Sequence, residues 1–196
     1  MECLLINMHS ILGLDISSSC VGVCYLNVTS GIKSDGSHIE VLKHIDLKSS
    51  AKLTNLWEKA DELKKILIKM ILDHSMTPDR IIIEDAAKKF TPGRSSADTI
   101  STLLRFNGIS SYVVRDIFKK DPDFLGAQES RKLCSLKMQR VAKVNKSQKE
   151  QVFEAMMNSD LKHVVWPKKK SGADVEWSRD ATDAYVLAKA GYIRFN

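Results

Sequence analysis

The sequence ILGLDI at residues 11–16 is a short, continuous apolar run that carries a single carboxylate, Asp15. The triplet SSS at 17–19 interrupts the run, and an extended apolar pattern resumes over residues 21–26. Short apolar runs bounded by turn-forming residues are typical of strands, so the pattern predicts two strands joined by a tight turn. Residues 39–47 follow a Gly/Ser/Asp-rich stretch and predict a third strand of the same antiparallel meander.

The next two elements show different periodicities. Apolar residues recur at helical spacing over residues 53–72, with Lys and Glu between them, which predicts a long amphipathic helix. The run RIIIE at 80–84 is β-branched and ends in Glu84. Such a run predicts a strand that is buried on both faces, as in a parallel sheet.

The second half of the chain predicts shorter elements. A helix is expected over residues 95–106 and a further strand over residues 111–117. The basic segment 128–150 is expected to form short helices, and residues 179–192 a closing helix capped by Gly191. The order of elements predicts an α/β fold.

Composition limits the possible classes of protein. The 196 residues are 43% hydrophobic and 28% charged, which fits one domain over residues 1–196 and is too short for two large lobes. A formal charge of +6 favours partners that carry phosphate. The four cysteines form no paired CxxC framework, so we expect small reduced core residues and an intracellular, cytoplasmic or organellar protein. The sequence has no leader pattern and no run of membrane-spanning length, so we expect no membrane partner.

Four carboxylates stand out by position: Asp15, Glu84, Asp180 and Asp183. Strand alternation puts the first two among apolar neighbours, where an ionised group needs a cation or strong donors. Neighbouring strands lie roughly 4.8 Å apart, so two adjacent parallel strands would bring Asp15 and Glu84 together. Asp180 and Asp183, three positions apart, project from one helix face.

Four converging acids indicate a metal site. Two Mg²⁺ ions roughly 3.5–4 Å apart would offset their charge, activate a water and stabilise the leaving oxygen of a phosphodiester, and Mn²⁺ could substitute. A lone acid is more often a cap, a salt bridge or a solvated residue. The order strand-Asp, strand-Glu, helix-Asp-x-x-Asp is much more specific.

These motifs resemble those of a known family. LGLDI at 12–16, IIIE at 81–84 and RDATDA at 179–184 are similar to the three acidic motifs of the RuvC family of Holliday junction resolvases, which have a ribonuclease H-like fold. The similarity runs from about residue 11 to residue 190. It implies a mixed five-stranded sheet flanked by helices, with the four acids as catalytic metal ligands. It also implies a homodimer that nicks four-way DNA junctions with Mg²⁺ or Mn²⁺.

Residues 129–156 resemble the basic region of that family, in which a lysine-bearing turn precedes a helix that begins Lys-x-x-Val. Lys132 and Lys146 are the nearest counterparts of its DNA-backbone lysines. Clustered basic residues would bind a phosphate backbone with an affinity that falls as salt rises, although a solvated helical face is the alternative. The predicted nucleic-acid contacts in this region are Arg131, Lys132, Lys137, Arg140, Lys143 and Lys146.

One departure from the family pattern concerns the loop after the second motif. The family often has an aromatic residue where this chain has Ala87. Phe90 could replace it by stacking on a base, while Lys88, Lys89 and Arg94 hold phosphates. Phe90 could equally be a hydrophobic anchor for the loop.

Three other functions remain open at this point. A nuclease of the same fold that acts on RNA, RNA–DNA hybrid or flap substrates would use the same acids. An actin-like or sugar-kinase-like ATPase has a first phosphate loop that LDISSS at 14–19 resembles, but such folds need two lobes. A DNA-binding module without catalysis would have no use for the four acids.

Overall fold

The structure is a computed structural model that describes residues 9–33, 36–48, 55–85, 96–172, 174–175 and 177–196. The strands are β1 (Ser10–Ile16), β2 (Cys20–Asn27), β3 (Ile39–Asp46), β4 (Arg80–Glu84) and β5 (Asp123–Leu125). The helices are α1 (Leu56–His74), α2 (Ala97–Phe118), α3 (Ala127–Leu133), α4 (Val141–Val144), α5 (Gln148–Met157) and α6 (Trp177–Phe195).

The five strands form one mixed sheet in the order β3-β2-β1-β4-β5. β2 pairs antiparallel with both β1 and β3, while β4 pairs parallel with both β1 and β5. In the β1–β4 pair Leu14 lies opposite Ile83. The next residues along these two strands are Asp15 and Glu84, so the parallel adjacency that would bring the two acids together is present.

Helices cover both faces of the sheet. On one face, α6 packs with α3 and α5 against residues such as Ile11 and Ile82, and Tyr185 is fully buried there. On the other face, α1 and α2 pack against residues such as Leu12 and Leu14. Burial on both faces explains why β1 and β4 are continuous apolar runs.

Glycines let α6 lie directly on the sheet. A Cβ atom at Gly13 would collide with the backbone of Ala184 and Ala188, and one at Gly22 would collide with the carbonyl group of Asp180. Backbone can approach this closely only where no side chain intervenes. The acids of α6 are therefore delivered to the strands that carry Asp15 and Glu84.

The predicted strand at 111–117 is wrong, because these residues continue α2 to Phe118. The buried positions Phe106, Asn107, Ser110 and Val114 recur at helical spacing, so packing against the sheet overrides the β-branched composition. The fifth strand is β5, a three-residue segment too short to show a periodicity.

The predicted cap at Gly191 is also wrong. α6 continues to Phe195, and Gly191 lies inside it, buried. A Cβ atom there would lie 2.5 Å from Cγ1 of Ile82, so this glycine provides room for a strand side chain instead of ending the helix. No helix in the described part of the chain is both long and apolar enough to cross a membrane.

Candidate active site

Two neighbouring strands of the sheet, β1 and β4, each carry one of the predicted acids. Asp15 lies near the end of β1, a strand that is buried along its whole length, and this charged residue is only 8% exposed. Glu84 ends β4, and its backbone carbonyl accepts a hydrogen bond of 3.1 Å from the Asn107 side chain of α2. This bond fixes the end of β4 beside Asp15.

The acids of α6 lie in its first two turns. Trp177 begins the helix, stacks on His44 with ring centroids 5.2 Å apart, and meets the edge of Trp166 at 5.9 Å. These aromatic contacts hold the start of the helix against β3. Asp180 and Asp183 follow, and a helix N-terminus favours negative charge.

Lys149, in the first turn of α5, lies among three of the four acids. Its Nζ is 2.7 Å from Oδ1 of Asp180, 3.1 Å from Oδ2 of Asp15 and 3.3 Å from Oδ2 of Asp183. Three carboxylates from two different elements therefore converge on one ammonium group. The structure brings these predicted residues together, with Glu84 next to them on the adjacent strand.

The site carries more negative charge than Lys149 can balance. Burial, followed by the charges of Asp15 and Asp183, raises the pKa of Glu84 to about 8, against the opposing positive charges of Lys149 and Arg131. Burial and Asp15 likewise raise the pKa of Asp183 to about 6. Oδ2 of Asp183 is buried, and beside its 3.3 Å ion pair with Lys149 it has no hydrogen-bond partner among the described residues.

The same acids act on Lys149 in the opposite direction. Partial burial alone would lower the pKa of its amino group, but the charges of Asp15 and Asp183 and the hydrogen bond to Asp180 raise it above its ordinary value. The lysine is therefore a fixed positive charge at neutral pH.

The chemistry of this set fits a hard divalent cation, because carboxylate oxygens are the ligands that Mg²⁺ and Mn²⁺ prefer. Over the described residues, no three His, Cys, Asp or Glu side chains are arranged closely enough to hold a metal ion as they stand. Lys149 lies between the acids instead. The convergence of three carboxylates on one ammonium group and the raised pKa of Glu84 both indicate an excess of negative charge that a further cation would stabilise.

Sequence reasoning missed Lys149 as a site residue. The signal was present, because Lys149-Glu150-Gln151-Val152 fits the Lys-x-x-Val pattern at the start of a helix. The resemblance to the family's basic region indicated Lys146 instead. In the structure Nζ of Lys146 pairs with Glu154 at 2.7 Å, and each of these side chains is about half exposed.

The other predicted nucleic-acid contacts lie around α3 and α4. Arg131 donates a hydrogen bond of 2.8 Å to Gln148, and with Lys132 and Lys137 it lines a cavity of about 470 Å³. Arg140 precedes α4 and Lys143 lies within it, both exposed. The remaining predicted contacts lie outside the described residues: Lys88, Lys89, Phe90 and Arg94.

Several solved structures are similar to this chain. Thermus thermophilus RuvC in complex with a Holliday junction substrate is 13% identical, with a TM-score of 0.59 over 94% of this chain and 93% of that chain. A second structure of Thermus thermophilus RuvC is 14% identical, with a TM-score of 0.55 over the same shares. The yeast mitochondrial Holliday junction resolvase Ydc2 is 16% identical, with a TM-score of 0.50 over 96% of this chain and 79% of that chain.

No protein-family model and no curated protein sequence matches the chain. At identities of 13–16% the likeness concerns the fold. The chain therefore has the ribonuclease H-like fold of the RuvC structures, a mixed five-stranded sheet with helices on both faces, as predicted.

Proposed function

We propose that this chain is a structure-specific endodeoxyribonuclease that resolves four-way DNA junctions, or other branched DNA, by metal-assisted phosphodiester hydrolysis. The observation that carries the proposal is the convergence of Asp15, Asp180 and Asp183 on Lys149, with Glu84 beside them and negative charge in excess. The similar structures support the choice of substrate, since their names identify Holliday junction resolvases and one contains a junction.

Asp15, Glu84, Asp180 and Asp183 would hold two Mg²⁺ ions, for which Mn²⁺ could substitute. Such ions supply an activated water and charge stabilisation at a scissile phosphate. The positions of the four acids would determine where the positive charge of these ions lies. Lys149 is then free to turn from the carboxylates toward a non-bridging phosphate oxygen, where a fixed positive charge stabilises the transition state.

The bound DNA would lie along the basic residues next to the four acids. Arg131, Lys132 and Lys137 line a cavity with room for a phosphate group, and Arg131 is close enough to the acids to oppose the raised pKa of Glu84. We propose that Arg140, Lys143 and Lys146 extend this surface and that the segment with Lys88, Lys89, Phe90 and Arg94 contacts the junction.

We further propose that residues 1–196 form one nuclease domain and that two copies act together. A four-way junction has two strands to cut, and a symmetric dimer would present one acid site to each. Sedimentation of the protein alone and with a junction measures the number of copies.

The tight turn at 17–19 bears on the ATPase alternative. The Ser17 hydroxyl donates a hydrogen bond of 2.9 Å to the Cys20 carbonyl and accepts one of 3.1 Å from the Cys20 amide. A phosphate loop presents such groups to its ligand, whereas here they bond within the turn. The described part of the chain also contains a single sheet.

The proposal is tested by cleavage of labelled four-way junction, flap, duplex and RNA–DNA hybrid substrates, side by side. Each is incubated with Mg²⁺, with Mn²⁺ and with a chelator. We expect the junction to be cut fastest, by paired nicks, and the chelator to stop all cutting. Preference for the hybrid would instead assign the chain to the nucleases that act on RNA, and metal-independent cutting would refute the assigned mechanism.

A further inference from the structure

Cys20 contacts one of the candidate metal ligands directly. Its Sγ donates a hydrogen bond of 3.2 Å to Oδ2 of Asp180, while Lys149 donates one of 2.7 Å to Oδ1 of the same carboxylate. The sequence predicted Cys20 as a core residue, but its side chain is only half-buried, unlike that of Cys24. The two oxygens of Asp180 are therefore held by different donors.

The turn before β2 holds Cys20 in place. The Ser17 amide donates to the Cys20 carbonyl at 3.0 Å, and the Ser17 hydroxyl lies 3.4 Å from the Cys20 sulfur. Lys59 of α1 donates a hydrogen bond of 2.6 Å to the Ser18 carbonyl, which ties the turn to the helix beneath it. A thiol held at both ends of its turn has little freedom to leave Asp180.

The same strand also contacts the backbone of Asp180. Gly22, two residues after Cys20 on the same face of β2, lies where any Cβ atom would collide with the Asp180 carbonyl group. β2 therefore sets the distance of the α6 backbone from the sheet through Gly22, and it sets the orientation of the Asp180 carboxylate through Cys20. Orientation matters because a ligand rotated away from the other acids cannot share their cation.

We propose that Cys20 is a positioning residue for the metal site, whose S–H group holds Oδ2 of Asp180 so that Oδ1 faces Asp15 and Asp183. The inference rests on the proposed function, since it concerns the cation that these acids would hold. It acts through Asp180 and requires no contact between sulfur and metal or substrate.

The test compares Cys20→Ala, Cys20→Ser and Cys24→Ala with the unchanged protein. Titration calorimetry with Mn²⁺ measures cation affinity without DNA, and junction cleavage is measured over a range of Mg²⁺ concentrations. We expect Cys20→Ala to weaken Mn²⁺ binding about tenfold, near the lower limit for groups that support a metal ligand, because a thiol is a weak donor. Cys20→Ser keeps a donor and should stay within about threefold of the unchanged protein.

Cys24→Ala is the matched control, because Cys24 lies on the same face of β2 and is fully buried against α6. It should lower thermal stability and leave Mn²⁺ affinity unchanged. Equal losses in Cys20→Ala and Cys24→Ala would reduce the effect to packing, and failure of Cys20→Ser to restore affinity would exclude the hydrogen bond. Either result overturns the inference while leaving the nuclease assignment intact. If the protein without substitutions neither binds Mn²⁺ nor cuts junctions, both this inference and the proposed function are refuted.

Discussion

Two ionic clusters lie against α6, and they differ in charge balance. In the acid cluster, which is Asp15, Glu84, Asp180, Asp183 and Lys149, four carboxylates face one ammonium group. In the tyrosine cluster, which is His38, Asp160, Tyr185 and Lys189, one carboxylate faces one ammonium group. There Oδ2 of Asp160 accepts hydrogen bonds of 2.6 Å from Lys189 and 2.9 Å from Tyr185. The tyrosine cluster is balanced in charge, whereas the acid cluster keeps an excess of negative charge, to which the proposed cation would bind.

The two clusters also differ in which of their groups have raised pKa values. Burial and the charge of Asp160 raise the pKa of the Tyr185 hydroxyl, so it remains a donor at all physiological pH values. Burial and like charges raise the pKa of Glu84 and Asp183, which keeps protons on groups that would be charged in water. An arrangement that lowers stability in this way is typical of a functional site.

The largest expected effect comes from neutralising one acid of the acid cluster. Asp15→Asn removes a proposed metal ligand and keeps its shape, so we expect junction cleavage to fall by about a thousandfold or more, roughly 4 kcal/mol of transition-state stabilisation. Junction binding should change by less than about threefold, because the basic surface is untouched. Rates come from single-turnover cleavage and affinity from gel shift with Ca²⁺.

Asp116→Asn is the control, since Asp116 is a partly exposed acid of α2 that pairs with Lys64 and Lys119, on the face of the sheet opposite to α6. Its cleavage rate should equal that of the unchanged protein. Unimpaired cleavage by Asp15→Asn in Mg²⁺ would remove Asp15 from the metal site.

The next largest effect concerns the tyrosine cluster and appears in stability. Lys189→Met leaves Asp160 without its ammonium partner, and both side chains are only 19% exposed. We expect the free energy of unfolding to fall by about 3 kcal/mol, the scale for breaking a buried pair. Urea unfolding measures the loss, and Mg²⁺ should not recover it. Recovery by Mg²⁺ would show that the two clusters are coupled.

A smaller effect is the pH dependence of the metal-free protein. The pKa of Glu84 is about 8 in the folded chain against an ordinary value of 4.5, and that of Asp183 is about 6 against 3.8. The folded state therefore holds protons that the unfolded state releases, so stability should fall as pH rises from about 4 to 8. Glu84→Gln should remove part of this fall and raise the melting temperature at pH 8 by at least about 2 °C.

Thermal melts in a chelator at several pH values check this expectation. Added Mg²⁺ should flatten the profile of the unchanged protein, because a cation replaces the bound protons. Tyr185→Phe, which alters the tyrosine cluster, should leave the slope unchanged. Stability that rises between pH 5 and pH 8 in the chelator would contradict an excess of negative charge.

The contrast between the clusters also shows what sequence alone could predict. Asp15 lies near the end of a buried apolar run and Glu84 ends another, and strand alternation indicates which face they occupy, so their convergence was predictable. Asp160 and Lys189 gave no such signal, because each is an ordinary charged residue until the fold brings them together. Lys149 was placed in the basic segment, but its contact with Asp15 joins residues 134 positions apart.

Secondary structure was predictable where the spacing of apolar residues in the sequence matched the positions that are buried in the fold. β1, β2, β3, β4 and α1 follow their patterns to within a few residues. The error at 111–117 arose because Val113, Val114 and Ile117 are β-branched, while the helix is decided by the spacing of residues that face the sheet. Gly191 was misread as a cap because the contact with Ile82 that requires a glycine lies on another element.

The smallest effect concerns an ion pair outside both clusters. Lys146 and Glu154 are each about half exposed, so water already solvates both charges and the pair contributes little to stability. Lys146→Ala should therefore leave the melting temperature nearly unchanged.

If Lys146 contacts a junction phosphate, its loss should lower the slope of log affinity against log salt by about 0.9. Glu154→Ala, the matched variant, frees the lysine and should strengthen binding slightly. An unchanged salt slope in Lys146→Ala would remove this residue from the DNA surface.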